Sequence, residues 1–323
     1  MSEKTIIIGA GFASATLSNL INDQNLTVFD KGRGPGGRSS TRRVEGVGNF
    51  DHGLQFVSPE SLEFGKFLKE NLRNCIKLWK GDFVDFDNKK IINKKKRWIG
   101  KNGNNDFVKK LISAPSFYQK ELEKVSRKNN RWLLEFKDLQ KIVCDTLLLT
   151  IPMEQCKKII DPLNIDVEFK KKMNPSLTTM LAFVEKTKIK SNAFVFNKSS
   201  ILGWASKESS KKRDINNPSL ELWTLQSTVG FAEKNYKNFK SRKLLIMNLM
   251  IEEFCNLCAV YNKKVIHKDI HGWLYAYKED FYSQDFFWDK KTKLGICGDW
   301  MCGAKAEDAW RSASGLADQI NNS

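Results

Sequence analysis

Residues 5–30, TIIIGAGFASATLSNLINDQNLTVFD, leave the chain little freedom of topology. Four apolar residues stop at a Gly-x-Gly turn. A stretch of small and apolar residues follows, and then LTVF, which ends on Asp30. This reads as a short buried strand, a helix opening on glycines and a second buried strand, a unit that requires a parallel sheet. In that setting Gly9 permits the tight turn and Gly11 lets the backbone approach a pyrophosphate. The helix N-terminus adds free N–H donors and a partial positive charge. The third motif position is Ser14, small enough for helix and strand to pack closely. Asp30 stands where a carboxylate accepts hydrogen bonds from ribose hydroxyls. The expectation is dinucleotide binding.

A second glycine cluster follows, DKGRGPGGRSSTRR over 30–43. Gly34, Gly36 and Gly37 let backbone lie against an extended cofactor, and Arg38 can meet a phosphate with two parallel hydrogen bonds. A nicotinamide dehydrogenase has no need of such a loop, so the expectation turns to FAD.

Further along, 61–72 and 104–112 read as helices and 75–99 as mixed and lysine-rich. Segments 119–126 and 131–136 read as meander strands, and 142–152 as a buried strand ending at Pro152. Segments 177–185, 193–196, 201–206, 220–226 and 271–277 read as strands, and 231–260 as a broken helix. A buried strand at 293–300 and a helix at 305–320 close the chain. The ends are therefore βα units and the middle is more antiparallel. Two lobes are expected: a cofactor lobe from 1–60, 100–153 and 290–323, and a substrate lobe from 61–99 and 154–289.

Composition limits the alternatives. No apolar run in the 323 residues approaches the roughly 18 that a membrane span needs. A strand begins almost at once, with no basic-then-apolar leader before it. Seven scattered cysteines suit reduced thiols in the cytoplasm. The net charge of +17 comes mostly from lysine, and the runs at 93–97, 170–172 and 211–213 lie far apart. They read as solvated surface, without the aromatic or helix-turn-helix signature of a nucleic-acid binder. Cys255, Cys258, His267 and His271 are too closely spaced for a zinc finger, and the helix carrying both thiols accounts for them by packing, so no metal is expected. Cys297 and Cys302 have no flavin-attachment motif beside them, which implies a non-covalent cofactor.

The blocks just described, with FDHGLQFV at 50–57, LLLTIPMEQC at 147–156, LGWASKESSKKR at 202–213, HGWLYAYKEDF at 271–281 and GICGDWMCGAKAEDAWRSASGLADQI at 295–320, run through nearly the whole chain. In that order they resemble the FAD-dependent amine oxidase superfamily, and more narrowly its renalase-like branch of NAD(P)/FAD-dependent oxidoreductases. The resemblance implies an α/β fold, with a Rossmann-like FAD lobe and a mixed α+β substrate lobe of the amine oxidase/p-hydroxybenzoate hydroxylase type. It implies that Gly9, Gly11, Phe12, Ala13 and Ser14 line the pyrophosphate, with Asp30 and Lys31 at the adenosine ribose. Gly37 and Arg38 would meet the phosphate–ribityl region, and Gly53, Gln55 and Phe56 the isoalloxazine. Val125 would meet adenine through its backbone; Gly298, Asp299 and Glu307 would face the ribityl chain and pyrophosphate. Pocket candidates are His52, His271, Trp223, Trp273 and Tyr275, with Trp204 beside them, because a planar substrate stacks over the ring and water must be kept out. The implied activity oxidises dihydronicotinamide isomers to NAD(P)+ by hydride transfer to flavin N5, with dioxygen as acceptor. Amine oxidation and flavin binding without turnover stand as alternatives. No catalytic acid or base is nominated.

Overall fold

The computed structural model of the chain describes residues 3–93, 95–165, 167, 169, 172–277 and 284–322. Strand Thr5–Ile8 lies parallel between Leu26–Phe29 and Thr146–Leu149, with Ile6 opposite both Thr27 and Leu147. The full sheet runs Phe286–Asp289, Leu294–Cys297, Thr146–Leu149, Thr5–Ile8, Leu26–Phe29, Ser116–Phe117. Only the first of these is antiparallel to its neighbour. Because successive strand residues point to opposite faces, Ile7 and Ile6 serve different cores. Ile7 packs with helices Phe12–Leu20, Leu62–Leu72, Asp106–Leu111 and Ala306–Asn321, through Leu17, Phe64, Phe107 and Leu316. Ile6 and Ile8 pack with a three-stranded meander, Leu122–Lys128, Arg131–Phe136 and Lys141–Cys144, through Trp132, Leu134 and Phe136.

A second sheet has seven strands, in the order Val265–Tyr277, Asn174–Phe183, Glu221–Ser227, Leu202–Lys207, Ala193–Val195, Phe83–Asp85, Lys90–Ile91. Its faces also divide by parity. Leu177, Leu181 and Phe183 pack against helices Val229–Tyr236 and Lys243–Leu257 through Ala232, Met250 and Phe254. Met180 and Ala182 face the other way, onto Phe50 and Val47. Phe50 belongs to a hairpin, Thr41–Val44 with Gly48–Asp51, that brings the end of the glycine-rich loop under this sheet.

Several expectations are corrected. Helix Leu62–Leu72, assigned by sequence to the substrate lobe, buries Phe64, Phe67, Leu68 and Leu72 in the first core. The single strand expected at 142–152 is two, in different sheets, broken at Asp145. That carboxylate accepts the Lys4 N–H at 2.8 Å and pairs with Arg131. The aromatic strand expected from 271 begins at Val265. Its polar first half pairs with 174–183 at the sheet edge, where Lys268 and Asp269 meet water and no apolar pattern is required. The hairpin at 41–51 and strand Phe286–Asp289 have no sequence signal strong enough to be read. The cysteine pair of helix 243–257 lies against the third core, and burial raises both thiols, Cys258 to about 12. All seven cysteines are free thiols. Among the described residues, no helix is long and apolar enough to cross a membrane.

Candidate functional site

The site starts at the Gly-x-Gly turn. Gly9 has φ +111°, and a Cβ there would lie 2.5 Å from Thr150 Oγ1, so a side chain is excluded by both conformation and space. Gly36 donates its N–H to Ala10 O at 2.8 Å, and a Cβ on Gly37 would meet Gly11 Cα at 3.2 Å. The second glycine cluster thus lies directly on the first. Gly11 itself looks into open space, with nothing within 4 Å of a built Cβ. Helix Phe12–Leu20 opens there with no side-chain cap and no acidic residue in its first turn. Its first N–H groups, including those of Ala13 and Ser14, are left for an anion.

Asp30 accepts from Ala10 N at 2.8 Å and from Gly32 N at 2.5 Å. Burial raises its carboxyl above the ordinary value, against the lowering effect of those two bonds. A carboxylate has about four lone-pair sites, so it can still accept from a ribose. The chain leading to the meander is tied to the same loop, Gln119 N to Gly32 O at 2.8 Å and Lys120 N to Asp30 O at 2.9 Å. Val125 lies buried on that meander, paired with Leu134. Phe12 buries its ring between Phe64 and Phe107, so only its backbone faces the turn. Lys31 is exposed.

Arg38 and Asp299 meet. The guanidinium donates to both carboxylate oxygens, at 2.8 Å from NH1 and with a second bond from NH2, and to Ala276 O at 2.7 Å. Sequence reasoning aims Arg38 at a phosphate; the fold gives it a carboxylate from the far end of the chain. Glu307 has partners in the protein. Its carboxylate accepts the N–H groups of Glu60 and Ser61 at 2.6 and 2.8 Å, which fixes the entry to helix 62–72. Gly298 N–H is held by Ser312 Oγ at 2.9 Å.

The segment after the hairpin is clamped on every side. Leu54 N donates to Arg38 O at 2.8 Å, and a Cβ on Gly53 would stand 2.0 Å from that same oxygen. Gly53 O accepts from Gln226 Nε2 at 2.8 Å and from Gln55 Nε2 at 3.0 Å. Gln55 Oε1 accepts from Ser206 Oγ at 2.7 Å. Phe56 packs against Trp204 and Trp79.

Beneath it lies a feature that sequence reasoning misses. Lys211 and Arg213, read as part of a solvated lysine run, have fully buried side chains. Lys211 bonds Asp51 at 2.7 Å and Glu208 at 2.8 Å; Arg213 bonds the same two at 2.6 and 3.3 Å. Thr41 Oγ1 and Asn104 N also donate to Asp51, at 2.8 and 2.9 Å. Burial alone would push the Asp51 carboxyl up, but Arg213 and Lys211 outweigh it and hold it far below its usual value. For Glu208 burial prevails over Lys211, and the Asp51 charge adds to the rise.

Above the segment stands an aromatic group. His52 stacks on Trp273 with ring centroids 5.2 Å apart, and His271 meets both edge-on, at 4.9 and 4.4 Å. Trp273 Nε1 donates to His52 O at 2.8 Å. Burial lowers the His52 pKa to about 3 and the His271 pKa to about 4, with the Arg42 charge adding to both. Both imidazoles are neutral at pH 7. Of the other pocket candidates, Tyr275 packs at the margin of the second core. Trp223 is on the opposite face of the sheet, fully buried against Phe194 and Phe254, with Nε1 bonded to Glu221 at 2.7 Å.

Residues 7–70 match the NAD(P)-binding Rossmann-like domain. The fold of the whole chain is similar to that of a candidate protoporphyrinogen oxidase from Exiguobacterium sp., with a TM-score of 0.76 at 11% identity, covering 100% of this chain and 99% of that one. It is similar to an oxidoreductase from Methanosarcina mazei, with a TM-score of 0.71 at 11% identity and 98% and 100% coverage. A CLA-producing fatty acid isomerase from P. acnes gives 0.63 at 10% identity, with 98% of each chain covered. The turn at Gly9–Gly11 thus belongs to a Rossmann-like dinucleotide-binding segment, set in an α/β chain whose fold is shared from end to end with oxidoreductases.

Proposed function

We propose that the chain is an FAD-dependent oxidoreductase that oxidises a reduced nicotinamide isomer, with dioxygen as acceptor, in the cytoplasm. The observation that carries the FAD reading is the double cradle: Gly36–Gly37 hydrogen-bonded onto Gly9–Ala10–Gly11, with Gly11 facing open space. A shorter nucleotide needs the first cluster only. Gly9, Gly11, Ala13 and Ser14 would hold the pyrophosphate and Asp30 the ribose. Gly53 to Phe56 would border the ring. FAD bound there supplies a hydride acceptor. The chain's own share is to position and to exclude water. Gln226 and Gln55 fix the Gly53 carbonyl, while His52, Trp204 and Trp273 close the sheet side. A dihydronicotinamide suits this site because loss of hydride leaves an aromatic cation and needs no general base. The net charge of +17 favours an anionic dinucleotide over a cationic amine.

The test is direct. Purified protein loaded with FAD is expected to be yellow and to release the flavin on acid precipitation. Anaerobic stopped-flow mixing with 2- and 6-dihydronicotinamide isomers is expected to bleach it faster than 4-dihydro NADH or primary amines do. Bleaching by amines alone moves the assignment to amine oxidation, and colour retained on the denatured pellet defeats the non-covalent assignment.

A further inference from the structure

The hairpin and the edge strand face each other across a set of polar atoms left unsatisfied among the described residues. Arg42 pairs with Phe50 in the hairpin, so their side chains leave the same face, and His52 follows two residues on. The Phe50 ring lies 5.6 Å from His267. Along strand Val265–Tyr277, alternation puts His267, Asp269, His271 and Trp273 on the facing side. Thr178 stands opposite His271 in register. Arg42 Nε, His52 Nδ1, Thr178 Oγ1 and His267 Nε2 are all buried with no hydrogen-bond partner among the described residues. His52 is 5% exposed and Thr178 is 0% exposed. Native interiors satisfy such atoms, so a cluster of orphans calls for a ligand or an ordered water.

Charge decides which ligand. Arg42 has no ion pair among the described residues, yet its charge acts on His52, His267, His271 and Asp269. Asp269 is the acid on this side, and Lys243 already holds it at 2.8 Å. Asp51 is turned to the opposite face, within the buried quartet. The cluster therefore has cationic charge in excess and donors without acceptors.

We propose that Arg42, His52, Thr178 and His271 form an anion subsite between the hairpin and strand Val265–Tyr277, taking a carboxylate or phosphate group of the electron donor. This deepens the oxidoreductase reading and rests on it. An anion here offsets the Arg42 charge, which adds to burial in keeping both histidines neutral, so its binding favours protonation of the pair and tightens as pH falls towards their titration range.

The test is run with and without FAD, and flavin content is measured separately, so failure to bind flavin is not confused with failure of the subsite. Benzoate, inorganic phosphate and neutral benzamide are titrated against tryptophan fluorescence, which Trp273 reports. Saturable binding of benzoate or phosphate, absent for benzamide and, for benzoate, several-fold tighter at pH 5 than at pH 7, is expected. Arg42→Gln is expected to weaken it at least tenfold, with Arg42→Lys recovering part and FAD content unchanged. Should Arg42→Gln not fold, His271→Gln carries the test by loss of the pH dependence. Equal responses to benzoate and benzamide, or anion binding unaltered in the folded variant, overturn the proposal.

Discussion

Asp30 locks the glycine turns through Ala10 and Gly32, and in the proposed function its remaining lone pairs take a ribose. Asp30→Ala is expected to weaken FAD binding by roughly 1–3 kcal/mol, the range for a lost hydrogen bond to a charged group, as measured by calorimetric titration. The sequence suggests the proposed ribose role, because an acid at the end of the second strand of a βαβ unit has a known use; it gives no sign of the locking of the turns. Arg42 is not legible at all: the histidines on which its charge acts are residues 52, 267 and 271, and its sequence neighbours carry no trace of them. The histidines give a pH prediction. Both fold with pKa values below the unfolded 6.5, to about 3 and 4, so the unfolded chain binds more protons between those limits. Their contribution to stability is complete above pH 6.5 and is lost as pH falls towards 4, at up to about 1.4 kcal/mol per pH unit for each. Urea unfolding from pH 7 to 4 is expected to show a flatter decline in the His52→Gln/His271→Gln protein than in the parent.

At the scale of elements, strands and helices with strong periodicity are readable, and those defined by a distant partner are not. Helix Leu62–Leu72 is evident from its apolar spacing, but its docking on the first core is invisible there because the spacing names a face and not its neighbour. The short 3₁₀ turn Glu208–Lys211 looks like solvated lysine sequence because its counter-charge, Asp51, lies some 160 residues away. Lys211→Met is expected to cost about 3–5 kcal/mol in urea unfolding, since it leaves two buried carboxylates with Arg213 as their one cation among the described residues. Gly53→Ala tests the clamp above that turn. A methyl group 2.0 Å from Arg38 O forces the loop to move, and the ratio of flavin to protein absorbance is expected to fall sharply while helical content holds.

For the whole molecule, the excess of lysine acts through its field. If the donor is an anionic dinucleotide, its bimolecular reduction rate should fall steeply between low salt and ~0.15 M, where the screening length is about 8 Å. Stopped-flow rates against ionic strength check this, and a flat profile would exclude steering. The sheet order has another consequence, for the timing of assembly. Strand Thr5–Ile8 is made before either neighbour, but one of them, Thr146–Leu149, is separated from it by 141 residues, and Leu294–Cys297 must then dock beside that. Loop closure of this length slows folding. The glycine turn, made well before residue 146, must therefore wait for Thr150 and its strand before it acquires that wall, and a nascent chain stopped short of residue 146 holds the loop by Asp30 and Gly36 alone.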